Sequence, residues 1–270
     1  MRFQGRTVLI TGASSGIGAA LARRLAAEGA HLVLTARRLE KLGEVAASLP
    51  KPHGDVRILE CDVTRDGQLD EVVAQVQRSG AKLDIVIANA GFGVAGAVQR
   101  LALEDYRRQF ETNVFGVLRT IYAVLPALSR PGGQLAIIGS VAGHVPQAGA
   151  SAYGMSKFAV RALAESLRAE LAPEGIAVTL ISPGFVDSDI RRTDNRGVVH
   201  EHAPDSVPAW LRVPTDRAAR EICDAIYRRE RERVVTVHGK LIVFLYRHAP
   251  WLIRWAQRSG VRARPEPAAR

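Results

Sequence analysis

The chain has 270 residues, 47% hydrophobic and 24% charged, an ordinary globular composition long enough for one large α/β domain that needs no disulfide staples. Its two cysteines, Cys61 and Cys223, form no metal-ligand spacing, no run reaches the length of a membrane-spanning helix, and the first apolar run (7–10) is too short for a signal peptide, so a cytoplasmic protein is expected. The formal net charge is +10, but residues 212–270 hold 14 of the 37 Lys and Arg and only 6 of the 27 Asp and Glu, so the excess belongs to the C-terminal segment; with 6% aromatics and no helix-turn-helix or zinc-finger pattern, nucleic acid is excluded as a partner.

Short runs rich in Val, Ile and Leu predict strands at 7–10, 32–35, 56–60, 85–88, 135–138, 178–181 and 234–237. Between them, helical patterns fall at 16–28, 38–49, 67–79 and 104–128. Regular alternation of this kind means βαβ units: one doubly wound parallel sheet with helices on both faces. No linker divides the chain. Residues 188–214, polar and containing Pro204, Pro208 and Pro214, read as a long substrate loop or lid within a unit spanning 1–238, and 239–270 as a basic, apolar helical tail.

The first strand runs into Thr11-Gly12-Ala13-Ser14-Ser15-Gly16-Ile17-Gly18 and then a helix. Glycines at this turn let the backbone approach a pyrophosphate, and the helix N-terminus supplies N–H groups and positive dipole. The alternative is a tight glycine turn that binds nothing. The second strand ends in Ala36-Arg37-Arg38, where an NAD site would carry an acidic residue for the ribose 2′-hydroxyl. Two cations suit a 2′-phosphate, so NADP(H) is predicted; the alternative is that Arg37 and Arg38 only open the next helix, where the dipole disfavours them. Asp62 and Val63 end the third strand, within reach of an adenine, and Asn89-Ala90-Gly91 end the fourth, where small residues permit close backbone approach.

Ser151-Ala152-Tyr153-Gly154-Met155-Ser156-Lys157 places a phenol and an ammonium four residues apart, on one face of a helix. A neighbouring cation favours phenolate, so a Tyr153 pKa lowered toward neutrality is expected, making it a general acid/base. Ser140 lies at the end of the fifth strand, where its hydroxyl can hold the oxygen that Tyr153 protonates. Asn113 lies inside the long helical stretch, an awkward place for a buried amide. His144, His200, His202 and His238 show no ligand spacing, and no metal is required.

With these motifs in order, residues 5–240 resemble the short-chain dehydrogenase/reductase family: Thr11–Gly18, Asn89-Ala90-Gly91, Asn113, Ser140, Tyr153-x-x-x-Lys157 and Pro183-Gly184 all match. The resemblance implies a Rossmann-type fold of about seven strands and reversible carbonyl/alcohol chemistry, NADP-preferring in this chain. It implies that Tyr153 transfers the proton, Ser140 holds the oxygen, Lys157 binds the nicotinamide ribose, and Asn113 holds a water linking Lys157 to solvent. Pro183, Gly184, Val186 and Ser188 would meet the nicotinamide; the family commonly has threonine where Ser188 stands. It also implies a homodimer or homotetramer built on the helices near 104–128 and 153–171.

A substrate pocket lined by Phe92, Val94, Val141, His144, Val145 and the stretch 185–210 would be mostly apolar, which favours a hydrophobic carbonyl or alcohol; 3-oxoacyl thioesters are the second enzymatic reading, and a catalytically silent NADP-binding regulator the third. In the tail, Lys240, Arg247 and Arg254 recur every seven residues amid Leu241, Phe244, Trp251 and Trp255, and Pro250 breaks or kinks the helix. Residues 240–256 therefore pack on the subunit, a partner or the pocket mouth, or lie peripherally on a membrane.

Overall fold

Three consecutive residues of the first strand, Val8, Leu9 and Ile10, are all fully buried, and they point alternately into two different cores. That is the signature of a sheet covered on both faces, and it accounts for the continuous apolar runs of the sequence. The computed structural model describes residues 1–260, apart from Pro52, Glu201, His202, Pro204 and Ser206; the readings made on His202, Pro204 and the last ten residues lie outside the described residues.

The elements follow in the order β1 (Thr7–Thr11), α1 (Gly16–Ala27), β2 (His31–Ala36), α2 (Leu39–Ala47), β3 (Val56–Glu60), α3 (Gln68–Arg78), β4 (Ile85–Ala88), α4 (Leu103–Phe110), α5 (Gly116–Val124), β5 (Gln134–Ile138), α6 (Ser151–Leu171), β6 (Ala177–Pro183), α7 (Thr215–Tyr227), β7 (Glu232–Val235), α8 (Val237–His248) and α9 (Pro250–Gly260). The strands form one parallel sheet in the order β3-β2-β1-β4-β5-β6-β7, with Val8 beside Leu32 on one side and Ile85 on the other. All seven predicted strands are present.

The order reverses at β1. The chain winds outward through β2 and β3, then returns to lay β4 on the opposite flank of β1. Loops leaving the carboxyl ends of β1 and β4 diverge, which opens a crevice there. One face of the sheet packs on α1 and α7 through Leu21, Leu25, Ile222 and Ile226. The other packs on α3, α5 and α6 through Val72, Val76, Ile121, Val124, Val160 and Ala164.

Two expectations need correction. The stretch 104–128 is not one helix: α4 and α5 are joined by a π-helical turn, Glu111–Phe115, centred on the fully buried Asn113. Such turns accommodate one extra residue and recur at functional sites, and a change of period confined to one turn leaves no trace in an apolar pattern. The last strand stops at Val235, not 237, because Thr236 adopts φ 104° and turns the chain; Val237 opens α8, 71% exposed. Pro250 does break the tail: it begins α9, so Arg254 lies on a separate helix from Lys240 and Arg247.

Candidate active site

A cavity of about 710 Å³ opens over the carboxyl ends of the strands. Gly12, Ser14, Ser15, Gly16, Ile17, Arg37, Arg38, Asp62, Val63, Asn89, Ala90, Gly91, Ser140, Tyr153, Lys157, Pro183, Gly184, Val186 and Ser188 all line it. Of the catalytic and cofactor-binding residues expected from sequence, Gly18 and Asn113 stand behind its wall rather than on it.

At one end, Gly12 has φ +67°, and a Cβ there would come within 2.8 Å of the Ala90 Cα; a Cβ on Gly18 would collide with the Gly12 carbonyl oxygen. The glycine turn is thus packed directly onto the end of β4, and no side chain fits at either position. Asn89 holds it there, donating from Nδ2 to Thr11 O (2.9 Å) and Gly12 O (3.1 Å). The Asn89 amide is therefore spent on shaping the cradle. Ser15 caps α1 without a side-chain hydrogen bond, and the first turn of α1 has no acidic residue, so its N–H groups face the cavity with their dipole unneutralised. Arg38 adds a cation above this point, with Nη2 3.4 Å from Ser14 Oγ and 3.5 Å from Ser15 Oγ. Cradle, helix end and cation together fit a phosphate-bearing cofactor. Asp62 is committed locally, accepting from Thr64 N (3.0 Å) and Thr64 Oγ1 (2.8 Å). Ser188 lies against this end too: a Cβ on Gly16 would sit 3.3 Å from Ser188 Cβ.

At the other end, α6 presents Tyr153 and Lys157 one turn apart. Lys157 is 5% exposed, donates from Nζ to Ile138 O at 2.8 Å, and lies 5.8 Å from the centroid of the Tyr153 ring. Burial pushes its pKa down to about 8. Tyr153 and Ser140 line the same part of the cavity, and the Ser140 Oγ donates to Pro183 O (3.5 Å) and accepts from Ala142 N (3.1 Å). Desolvation raises the pKa of this half-buried phenol above its ordinary value, opposed by the Ser140 hydroxyl and the charge of Arg191. This reverses the expectation from sequence. Desolvation of the phenolate is the largest influence, and the ammonium of Lys157, which directs one of its three N–H groups to Ile138 O, is itself disfavoured by burial.

Asn113 Oδ1 accepts from Phe92 N (3.1 Å), and Nδ2 donates to Phe92 O (3.0 Å) and Ser156 Oγ (3.2 Å). A Cβ on Gly91 would lie 3.1 Å from Asn113 Oδ1 and 3.8 Å from Lys157 Nζ, so both groups converge behind the end of β4. The π-helical turn thus ties the Phe92 backbone to α6.

The substrate end differs from the apolar inventory expected. Val94, Val145 and His144 are buried outside the cavity; His144 Nε2 meets Ser182 Oγ (2.8 Å) and Glu232 Oε1 (3.1 Å) as part of the core. Of the expected set outside 185–210, only Phe92 lines the cavity, where apolar Ile190, Val198 and Val199 alternate with Arg108, Glu111, Thr112, Arg191 and Arg196. Sequence reasoning missed the most constrained of these. Arg191 and Asp205 form a two-pronged ion pair (Nε–Oδ1 2.7 Å, Nη2–Oδ2 2.8 Å), each side chain only 10% exposed, and Arg191 Nη1 donates to Val186 O at 3.0 Å. Nothing in the spacing of two residues within a polar loop marks them as partners. Among the described residues, no three His, Cys, Asp or Glu side chains converge as metal ligands.

A glycine cradle at a topological switch point, facing a tyrosine–lysine pair across one cavity, defines a nicotinamide-dinucleotide oxidoreductase of the Rossmann class. The chain belongs to the short-chain dehydrogenase family, whose model, "short chain dehydrogenase", matches residues 6–198. An uncharacterized oxidoreductase of Myxococcus xanthus is 38% identical over 232 residues, 79% of this chain and 91% of that protein. A fatty acyl-CoA reductase of Acinetobacter baylyi is 33% identical over 250 residues, 92% of this chain and 81% of that protein. An alcohol dehydrogenase from the archaeon Thermococcus sibiricus, solved with 5-hydroxy-NADP, superposes with a TM-score of 0.72 at 27% identity, covering 85% of this chain and 95% of that one.

Proposed function

We propose that this protein is an NADP(H)-dependent oxidoreductase that interconverts a carbonyl and an alcohol on a hydrophobic substrate. The observation that carries the reading is the gathering of Tyr153, Ser140 and the buried Lys157 ammonium on the wall of one cavity whose far end is a glycine cradle fit for phosphate. The dinucleotide supplies or accepts the hydride. In the reducing direction, Ser140 and Tyr153 hold the carbonyl oxygen between two hydroxyls, and Tyr153 gives up its proton as negative charge develops there. A phenol kept protonated by desolvation is suited to donate, and the charge of Arg191 favours the phenolate left behind. Asn113, satisfied by Phe92 and Ser156, acts on Lys157 by fixing the end of β4 and the first turns of α6. Arg38, with Arg37 beside it, supports NADP(H) over NAD(H), since the end of β2 offers no carboxylate for a free 2′-hydroxyl.

Residues 1–238 form the catalytic unit in this reading, with 188–214 as its substrate loop, and 239–270 as an appendage. We place the protein in the cytoplasm as a homodimer or homotetramer. Phe115 and Tyr122 near α5 and Met155 and Phe158 on α6 present large apolar groups to solvent, as a helix-mediated subunit contact requires.

A second substrate class, an acyl thioester, is favoured by one specific feature. Arg196 lines the cavity, where its charge suits a phosphorylated or acidic carrier, and the match to the A. baylyi fatty acyl-CoA reductase runs through nearly the whole chain. The deciding experiment follows NADPH consumption with apolar ketones, 3-oxoacyl thioesters and long-chain acyl thioesters, each with the wild type and Tyr153→Phe. Turnover of one class, lost in Tyr153→Phe with NADPH binding intact, is expected. Wild-type turnover by the phenylalanine variant removes the acid/base role. Binding of NADPH with no turnover of any class favours a catalytically silent regulator.

A further inference from the structure

Residues 237–260 contain no Asp or Glu, while carrying Lys240, Arg247, Arg254 and Arg258. The same segment forms α8 and α9, and it hides little of itself: in α8 only Gly239 and Val243 are buried. Val237, Leu241, Phe244 and His248 recur at helical spacing and all face outward, with the Phe244 and His248 rings 4.5 Å apart on that face. Lys240 and Arg247 flank this apolar line, both exposed. On α9, Trp251 and Leu252 are exposed beside Arg254. Phe244 is 58% and Trp251 67% exposed, unusual values for side chains of this size.

We propose that the α8–α9 segment docks on the surface of an anionic lipid bilayer, with Leu241, Phe244 and Trp251 entering the interface and Arg247 and Arg254 meeting lipid phosphates. Three arguments select this occupant. The segment pairs exposed aromatic and aliphatic groups with cations and lacks any carboxylate, which is the composition an acidic headgroup layer attracts and a neutral protein surface does not need. A second copy of the chain fits poorly, because a two-fold contact sets each patch on its twin and so opposes cations to cations. The element lies on the membrane and does not cross it: among the described residues no helix is long and apolar enough to span, and α8 has 12 residues where about 20 are needed. The segment is also anchored, through α8, to the rest of the chain. Lys240 reaches Glu221 on α7 at 3.6 Å, and His238 accepts a hydrogen bond from Phe185 N at 3.0 Å. Docking would therefore hold the cavity close to the bilayer, where apolar substrates reside.

The test is co-sedimentation of the full chain with vesicles of phosphatidylcholine alone and of phosphatidylcholine mixed with phosphatidylglycerol. Binding to the mixed vesicles only, weakened by salt, is expected. Phe244→Ser with Trp251→Ser should abolish it. Arg247→Gln with Arg254→Gln should lower the partition coefficient about 25-fold, roughly fivefold for each cation removed near the surface. These arginines are exposed, so the charge variant reads out even if the apolar variant misfolds by circular dichroism. Absence of vesicle binding, equal binding to neutral vesicles, or binding unchanged in the charge variant overturns the proposal. So does a vesicle-free dimer that the Phe244→Ser/Trp251→Ser change dissolves, since it identifies a second copy as the occupant. None of these readouts depends on the substrate or on turnover.

Discussion

Replacing Lys157 by methionine should make the protein more stable at neutral pH while destroying its activity. The buried ammonium is held at a pKa of about 8 against an ordinary 10.5, and burial is the cause. That gap corresponds to about 3 kcal/mol by which folding disfavours the protonated amine. Methionine has similar length and no charge to desolvate, but it abandons the hydrogen bond to Ile138 O, which returns about 1 kcal/mol. The net gain at pH 7 is about 2 kcal/mol. Its pH dependence carries the sign of the reasoning. Because the folded pKa is depressed, the unfolded chain binds more protons between about pH 8 and 10.5, so wild-type stability rises over that window. The penalty is fully present below pH 8 and fades as pH approaches 10.5. Urea unfolding of the cofactor-free proteins, followed by circular dichroism at pH 7 and pH 10, should show Lys157→Met ahead at pH 7 and level with or behind the wild type at pH 10. Since other groups titrate in both proteins, the difference isolates Lys157. A variant less stable at pH 7, or a difference that does not change with pH, refutes the account of a desolvated ammonium retained for function.

Arg38→Ala should weaken NADPH binding by about 1.5–3 kcal/mol, the range for a charge-assisted contact, and leave NADH nearly unaffected; fluorescence titration of both cofactors checks this, and equal losses remove the 2′-phosphate assignment. Asp205→Asn should strip the partner from a guanidinium that is only 10% exposed, costing on the order of 2–4 kcal/mol locally and loosening 188–214. A higher KM and faster proteolysis within that segment are the expected readouts, and an unchanged pattern of both would sink the clamp. The Asp205 pKa, held down to about 2 chiefly by the Arg191 hydrogen bonds, gives a matching acid limit: the pair's contribution is intact above the ordinary carboxylate value of 3.8 and is lost as pH falls toward 2.

The sheet was legible because a doubly covered parallel strand has no polar face to confuse the reading: Val8, Leu9 and Ile10 belong to two cores at once, and the run is apolar throughout. The cofactor cradle was legible for a related reason. Gly12 and Gly18 leave no space for a Cβ, so the backbone contact that builds the site is written directly into residue type. What escaped the sequence depends on contacts between distant residues. Asn113 was marked as an odd amide in a helix, but the π-helical turn that absorbs it arises from Phe92, twenty-one positions earlier. The Arg191–Asp205 pair closes a loop with no periodicity. The direction of the Tyr153 shift depends on what surrounds a phenol half-buried in the cavity wall, which a four-residue spacing cannot convey.

Gly184 shows where reading a motif by resemblance alone stops short. As part of Pro183-Gly184 it is expected to meet the nicotinamide, and it does line the cavity. Its backbone φ is ordinary, so conformational freedom does not explain the glycine. The explanation lies behind it: a Cβ at 184 would strike Thr236 Oγ1 and come within 2.7 Å of His238 Nε2. Thr236 is held at φ 104° and caps α8 by accepting from Gly239 N at 3.2 Å, while the His238 ring stacks on Phe185 with centroids 5.5 Å apart. To accept from Phe185 N, the His238 Nε2 must be unprotonated, and burial lowers its pKa in that direction. The small residue at 184 thus serves two surfaces at once, the cavity in front and the first turn of α8 behind. The tail is not merely appended to the catalytic unit. Its first turn is the wall against which residues 183–185 are set: Thr236 and His238 stand directly behind Gly184, which lines the cavity.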